Sequence, residues 1–513
     1  MAGFSRVLGA ALHGVDGAVV EVEVRLSSQL PRVEVVGLPE AAVRESAARV
    51  RAAIASSGGR FPDRRVTVNL APAGLRKSGA GLDLPIAVGI LAASGAVPPQ
   101  NLAGLGLLGE LALDGRLRGV RGALPLVIAL RDASASRIVG PAASAAELGL
   151  APGAPVEVAS CLAEVLESLC VERPLPTVAP PPLPPASPAP NLSVVRGQEH
   201  ARRALEIAAA GGHGLLLRGA PGTGKTLLAR TLPGLLPPLP AEQALEVMRI
   251  HSAAGLLDPD RPTLVGRPFR APHHSASRAG LLGGGSPPSP GEVSLAHRGV
   301  LFLDELPEFE RRALESLRQV LEEGHVQLSR ALGRFRFPAR FQLIAAANPC
   351  PCGFFRSGVR DCRCDDAAIG RYDRHLSGPL LDRIDLHVHA RPVSFALLDG
   401  QPGVASREVA ARVVAARRLQ ARRLAGSGWQ TNAEIPGDQI QRLAQAHPEA
   451  RSLLGQAVER LGISARGAHR ALRVARSVAD LAGEPQIGPP AMAEALGLRF
   501  EAASGWLPEG DGR

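Results

Sequence analysis

The residues best suited to chemistry lie in Gly219-Ala220-Pro221-Gly222-Thr223-Gly224-Lys225-Thr226, which fits the pattern G-x-x-x-x-G-K-[ST]. The apolar run Leu215–Leu217 precedes it and a helical pattern, LLARTLPGLL, follows, the context a phosphate-binding loop requires. Its glycines let backbone N–H groups turn onto the β- and γ-phosphates, and the next helix adds the positive end of its dipole. Lys225 supplies a compact charge to those phosphates, and the Thr226 hydroxyl suits Mg²⁺. Further along, the apolar run Val300–Leu303 ends in Asp304 and Glu305. A carboxylate at a strand end can hold the metal and its water shell, which suits Asp304, and Glu305 is then placed to polarise the attacking water. Together the two motifs point to hydrolysis of ATP with Mg²⁺.

Other side chains fit around that pair. Phe341–Ala347 reads as a buried strand delivering Asn348, the position that orients the lytic water (sensor 1) in AAA+ ATPases. In GPLLDRIDL, Arg383 corresponds to the arginine that ring ATPases extend to the γ-phosphate bound by a neighbouring subunit, where it neutralises transition-state charge. Ser464 opens a helix whose first turn carries Arg466, suited to a lid arginine (sensor 2) closing on ATP; Arg470, one turn on, is the alternative. Residues 326–341 read as a β-hairpin bearing Arg330, Arg334, Arg336 and Arg340. His273 and His274 are adjacent, so in a strand they point apart, which favours a loop or hairpin role over a shared metal. Cys350, Cys352, Cys362 and Cys364 form two C-x-C pairs that suit either a tetrahedral zinc site or reduced thiols at a loop base. The arginines of 407–424 suit either phosphate contacts or a solvated face.

The elements that must position these groups divide the chain. Residues 1–172 mix strands (18–24, 65–70) with helices (39–56, 84–94), and 109–148 reads strand, turn, strand, helix, strand, helix. Residues 173–191 are a linker with nine prolines between 173 and 190. Residues 192–392 form an α/β nucleotide-binding domain, 393–505 a mostly helical lid domain, and 506–513 a loose tail. The formal net charge of +10 favours an anionic partner such as nucleic acid. Twelve Phe, two Trp and one Tyr are too few for a platform that stacks single-stranded bases. Of two lysines, one is Lys225, where a guanidinium is no substitute for an ammonium. No apolar run is long enough to span a membrane, the N-terminus is a poor signal peptide, and six cysteines do not make a secreted scaffold, so a cytoplasmic location is expected.

The order of the P-loop, RPFRAPHHS, GEVSLAHRGVLFLDE, FPARFQLIAAANPCPCG and GPLLDRIDLHV closely resembles the magnesium chelatase-like AAA+ ATPases of the YifB/ComM family, over nearly the whole chain. The resemblance implies a hexameric ring with ATP between subunits and Arg383 acting in trans. It also implies an arginine hairpin facing a pore and a DNA helicase or branch-migration activity in natural transformation or recombination. Residues 1–172 resemble the α+β proteolytic domain of Lon-type proteases, which has the fold of ribosomal protein S5 domain 2. The segment matching their nucleophile loop, Lys77–Leu84, lacks the G-P-S-A-G arrangement, and 117–126 holds arginines where a catalytic lysine belongs. An arginine cannot deprotonate a serine at neutral pH, so a structural or interaction module is expected there. Two alternatives stand beside the DNA motor: a magnesium chelatase-type motor subunit, and an assembly factor switched by ATP.

Overall fold

The computed structural model describes residues 3–504 apart from 78, 80, 154, 181–188, 259–265, 331–332, 376–377 and 394–402. The middle of the proline-rich linker and the tail from 505 onward therefore lie outside the described residues.

The N-terminal part is built on a seven-stranded mixed sheet in the order 32–36, 65–71, 16–27, 4–13, 105–107, 137–141, 157–159. Its centre is the long antiparallel hairpin of Phe4–His13 and Asp16–Ser27. Val20, Val22 and Val24 alternate inward while Glu21 and Glu23 face the other side, the period of a half-covered sheet. The helix Asp83–Ala93 lies wholly buried against this sheet. Burial raises the carboxyl pKa of Asp83 at its first turn, and Arg49 opposes that rise with hydrogen bonds of 2.8 and 3.1 Å. Lys77 is also buried; its ammonium donates to the carbonyls of Gly37 (2.9 Å) and Pro72, so it ties two loops together. Ser78 lies outside the described residues.

The central domain carries a five-stranded, all-parallel sheet in the order 269–270, 300–303, 342–347, 215–218, 386–389. Val300–Leu303 and Gln342–Ala347 are buried throughout, as strands covered on both faces must be. Helices Ser406–Arg423, Gly437–Ala444, Pro448–Leu461, Ala465–Ala482 and Pro489–Ser504 follow, and their apolar faces share one core with the sheet and helix Glu199–Gly211.

Two arginines of the 407–424 helix, Arg417 and Arg423, fit neither expected role because they are internal ties, while the exposed Arg412 also makes an ion pair. Arg412 pairs with Glu206, Arg417 donates to the carbonyl of Ala209 (2.8 Å), and Arg423 grips Asp480 (2.6 and 2.8 Å). Arg407, Arg418 and Arg422 are exposed.

The N-terminal part is seated on the central domain. Helix Ala123–Asp132 packs against helix Ala241–Ala254, and Arg121 donates to the carbonyl of Ala253 (2.7 Å) and to Ser289 (3.2 Å). The half-buried Glu147 accepts from Leu124 N–H (3.1 Å) and from the Ser252 hydroxyl. Val15, in the turn of the long hairpin, joins the core that holds Phe335 and Phe337.

Candidate active site

The parallel register brings the chemistry to one end of the sheet. Arg218 pairs with Ala347 and Leu303 with Ala345, so Gly219, Asn348 and Asp304 all leave their strands at the carboxyl end, where open α/β sheets bind ligands. Gly222 and Gly224 sit at φ 81° and 85° in the left-handed region, with open space where a Cβ would stand. Backbone conformation, not crowding, demands glycine at both. Helix Lys225–Thr231 starts directly behind them.

Within this crevice the Lys225 ammonium donates to the carbonyls of Gly219 (2.8 Å) and Ala220 (3.0 Å) and to Oδ1 of Asn348 (3.2 Å). Burial lowers its pKa, and Asp304 and Glu305 act in the opposite sense. The Thr226 hydroxyl donates to Oδ2 of Asp304 at 2.7 Å. A hydroxyl and a carboxylate oxygen this close form the hard oxygen set that Mg²⁺ uses beside nucleotide phosphates. Glu305 stands in a left-handed conformation (φ 51°), its N–H donating to Oδ1 of Asp304 (3.0 Å). That turn swings its half-exposed carboxylate out to Nδ1 of His274, 3.2 Å from Oε2.

Three side chains at this end have partners that the sequence did not show. His274 is one. Gln198, also left-handed (φ 58°), donates to the carbonyls of Thr223 (3.0 Å) and Arg391, so it holds the P-loop from behind. Tyr372 lies beside the Asn348 backbone; burial and then the Glu308 carboxylate raise its hydroxyl pKa. The adjacent Asp373 pairs with Arg218, the residue before Gly219.

The arginines occupy the other end of the sheet. The N–H groups of Asp385 and Leu386 donate to the carbonyl of Gly214 (3.2 and 3.0 Å), which precedes the P-loop strand. Arg383 therefore lies a full strand, about 13 Å, from the P-loop of its own chain. Its guanidinium pairs with Glu322. Arg470 donates to the carbonyl of Arg383 (2.9 Å) and to Oδ1 of Asp385 (2.7 Å). Arg466 and Arg473 line the same cleft of about 1030 Å³, with Arg298 and Arg340. This differs from a lid arginine closing on the ATP of its own chain. The helix bearing Arg466 and Arg470 meets the sheet at the end remote from Lys225, so neither residue covers that P-loop.

Behind the cleft, His213 bridges Oδ2 of Asp385 (2.9 Å) and the Ser477 hydroxyl (2.7 Å). The set looks like a nucleophilic triad but is buried throughout, so it acts as an internal tie. Burial alone would raise the Asp385 pKa, but His213 and Arg470 hold it well below the usual carboxylate range.

The hairpin read over 326–341 is present as His325–Arg330/Gly333–Pro338, with Arg340 past its end; Phe335 and Phe337 are buried, while Arg334 and Arg336 are exposed. The side chain of Arg330 lies outside the described residues. The four cysteine thiols of 350–364 converge to within 4.8 Å of one another.

A parallel sheet in this order, with phosphate loop, paired acids and polar strand-end amide at one end and arginines at the other, defines an AAA+ P-loop ATPase. Comparison with known proteins narrows the class. Residues 191–398 match the family model "Magnesium chelatase, subunit ChlI", residues 22–144 match "Subunit ChlI of Mg-chelatase", and residues 403–499 match "Magnesium chelatase, subunit ChlI C-terminal". The chain is 43% identical to competence protein ComM of Haemophilus influenzae, over 96% of this chain and 97% of ComM. It is 43% identical to YifB of Escherichia coli, over 95% of this chain and 96% of YifB. The magnesium-chelatase 38 kDa subunit of Cereibacter sphaeroides is 30% identical over 31% of this chain and 52% of its own length. The chain belongs to the YifB/ComM family of magnesium chelatase-like ATPases. Among the described residues, no helix is long and apolar enough to cross a membrane.

Proposed function

We propose that this protein is a ring-forming ATPase that moves on DNA, a helicase or branch-migration motor serving natural transformation or recombination. The observation that carries the proposal is the division of the site between opposite ends of one sheet. Lys225, Thr226, Asp304, Glu305 and Asn348 stand at one end, and Arg383, Arg466 and Arg470 at the other. A cationic edge that cannot serve its own nucleotide is suited to serve a neighbour's. Assembly head to tail, as a hexamer in this family resemblance, would set Arg383 against the γ-phosphate held by the next subunit, with Arg466 or Arg470 beside it.

In that arrangement ATP and Mg²⁺ are the cofactors. The P-loop N–H groups and Lys225 hold the phosphates, and Thr226 and Asp304 hold the metal. Glu305 takes the proton of the attacking water while Asn348 orients it, and Arg383 neutralises charge on the transferring group. The four-cysteine cluster would hold a structural metal through its sulfurs.

DNA as partner is supported by the net charge of +10, the near-full-length match to a competence protein, and the outward Arg334 and Arg336 of the hairpin. Contacts from that hairpin would fall on the phosphate backbone, independent of sequence and weakened by salt. Side-by-side alignment with the curated chelatase subunits covers 38% and 31% of this chain, against 96% for the competence protein, which favours the DNA motor over a chelatase motor. The test is displacement of a labelled strand from forked DNA, with Lys225→Ala as control. Displacement that needs ATP and Lys225 supports the proposal; a protein that hydrolyses ATP but never releases the strand contradicts it.

A further inference from the structure

We infer that Cys350, Cys352, Cys362 and Cys364 form a closed zinc site, and that the bound ion locks the Asn348 segment against the P-loop. The second half of this inference rests on the ATPase assignment; the first does not.

The thiol geometry comes first. Sγ of Cys350 lies 3.3 Å from that of Cys352 and 3.6 Å from that of Cys362, and Cys352 and Cys362 are 3.6 Å apart. All four sulfurs fall within 4.8 Å. Thiolates around a tetrahedral zinc, with Zn–S near 2.3 Å, stand about 3.8 Å from one another. The three close pairs need a few tenths of an ångström of expansion, and Cys364, within 4.8 Å of the others, needs at most about 1 Å of approach, to admit the ion. Backbone N–H groups already serve the sulfurs: Phe355 donates to Cys350 (3.3 Å) and Cys364 to Cys362 (3.4 Å). Such bonds offset thiolate charge and orient the ligands. Four soft ligands leave no open position, the mark of a structural site and not a catalytic one.

The surroundings give the site its role. Residues 348–365 contain neither helix nor strand, so local backbone structure does little to hold their two ends together. One end is Asn348, two residues before the buried Cys350. The other leads into helix Asp366–His375, which carries Tyr372 and the Asp373 partner of Arg218. The ion would join these two arms, each of which touches the nucleotide crevice. The joint bears directly on the P-loop through Gly353, whose N–H donates to the carbonyl of Cys350 (2.9 Å). Gly353 sits at φ +85°, and a Cβ there would stand 2.6 Å from Cδ of Pro221 and 4.0 Å from Cγ of Asn348. The thiol turn is therefore packed on Pro221, and loosening the cluster would loosen both Pro221 and Asn348.

The test begins with the full-length protein, purified without a metal-affinity tag, and its metal content by plasma mass spectrometry. We expect one zinc per chain, and nearly none in the Cys362→Ser/Cys364→Ser double variant. Because that variant could misfold, wild-type protein is also stripped with a chelator and a reversible thiol reagent, checked by circular dichroism, and refilled with ZnCl₂. Affinity for a fluorescent ATP analogue and steady-state turnover should fall about tenfold or more on stripping and return on refilling. Iron in place of zinc, or well under one metal per chain, overturns the site. Bound zinc whose removal leaves analogue affinity and turnover unchanged overturns the lock. Zinc-replete protein that never binds the analogue supports the metal site and contradicts the ATPase assignment instead.

Discussion

Nδ1 of His274 lies 3.2 Å from Oε2 of Glu305. The contact joins a loop ahead of the Val300–Leu303 strand to the carboxylate just past its end, and fixes where that carboxylate points. A general base works only when aimed at the water, so on the proposed role of Glu305 this contact would make His274 a positioning residue for it.

Replacing His274 with Ala should therefore lower kcat about tenfold while leaving the KM for ATP within about twofold, since binding groups are untouched. His274→Gln, which keeps a hydrogen-bonding group, should recover part of the loss. Steady-state hydrolysis across ATP concentrations checks this; a rise in KM with kcat intact would assign His274 to binding.

Lys225 and Glu305 should separate binding from chemistry. Lys225→Ala removes the ammonium from the centre of the crevice and should abolish saturable nucleotide binding. Glu305→Gln keeps the shape and should bind ATP normally while turnover falls by about 10²–10⁴. Equilibrium binding of a fluorescent nucleotide, beside turnover, distinguishes the two.

Arg383 should act on a neighbour's ATP. Arg383→Ala alone should bind nucleotide as wild type yet hydrolyse about 10³-fold more slowly. Mixing it with Lys225→Ala chains should restore part of the rate, because some boundaries then pair an intact P-loop with an intact arginine. A mixture no faster than the two components would refute action in trans.

Acid should weaken the central sheet through His387, whose strand register sets it opposite Leu216. Burial, then the charges of Arg499 and Arg218, push its imidazole down to about 4. Between the ordinary value near 6.5 and that figure, the unfolded chain binds a proton that the folded chain refuses. The associated stability is complete above about pH 6.5 and is lost as pH falls toward 4, by about 2–3 kcal/mol. Melting temperatures at pH 7.5, 6 and 5 should fall accordingly, and His387→Gln should flatten the decline.

The sequence made Lys225, Thr226 and Asp304 legible because phosphate and Mg²⁺ chemistry fixes both residue type and strand context. The hairpin and the arginines it carries were legible from the sequence pattern, but not which of them face outward. Partners that only tertiary packing supplies were not. His274 gains its meaning from Glu305, and Arg423 of helix Ser406–Arg423 gains its own from Asp480, far away in sequence. A helical pattern cannot tell an arginine that points at a buried acid from one that points at water. Nor can it tell at which end of the sheet Arg466 and Arg470 arrive; that depends on how the C-terminal helices pack on Glu199–Gly211. Lys77 shows the same limit, since only the folded chain brings the carbonyls of Gly37 and Pro72 to its ammonium.

The most direct measurement of the central claim is the steady-state ATPase rate without nucleic acid, with single-stranded DNA, and with a forked or four-way junction. The Arg334→Ala/Arg336→Ala double variant is run alongside. We expect branched DNA to stimulate wild-type hydrolysis severalfold, with the stimulation fading as salt rises. The double variant should keep the DNA-free rate and lose the stimulation. A rate indifferent to every DNA would contradict a DNA motor and direct attention to a protein partner.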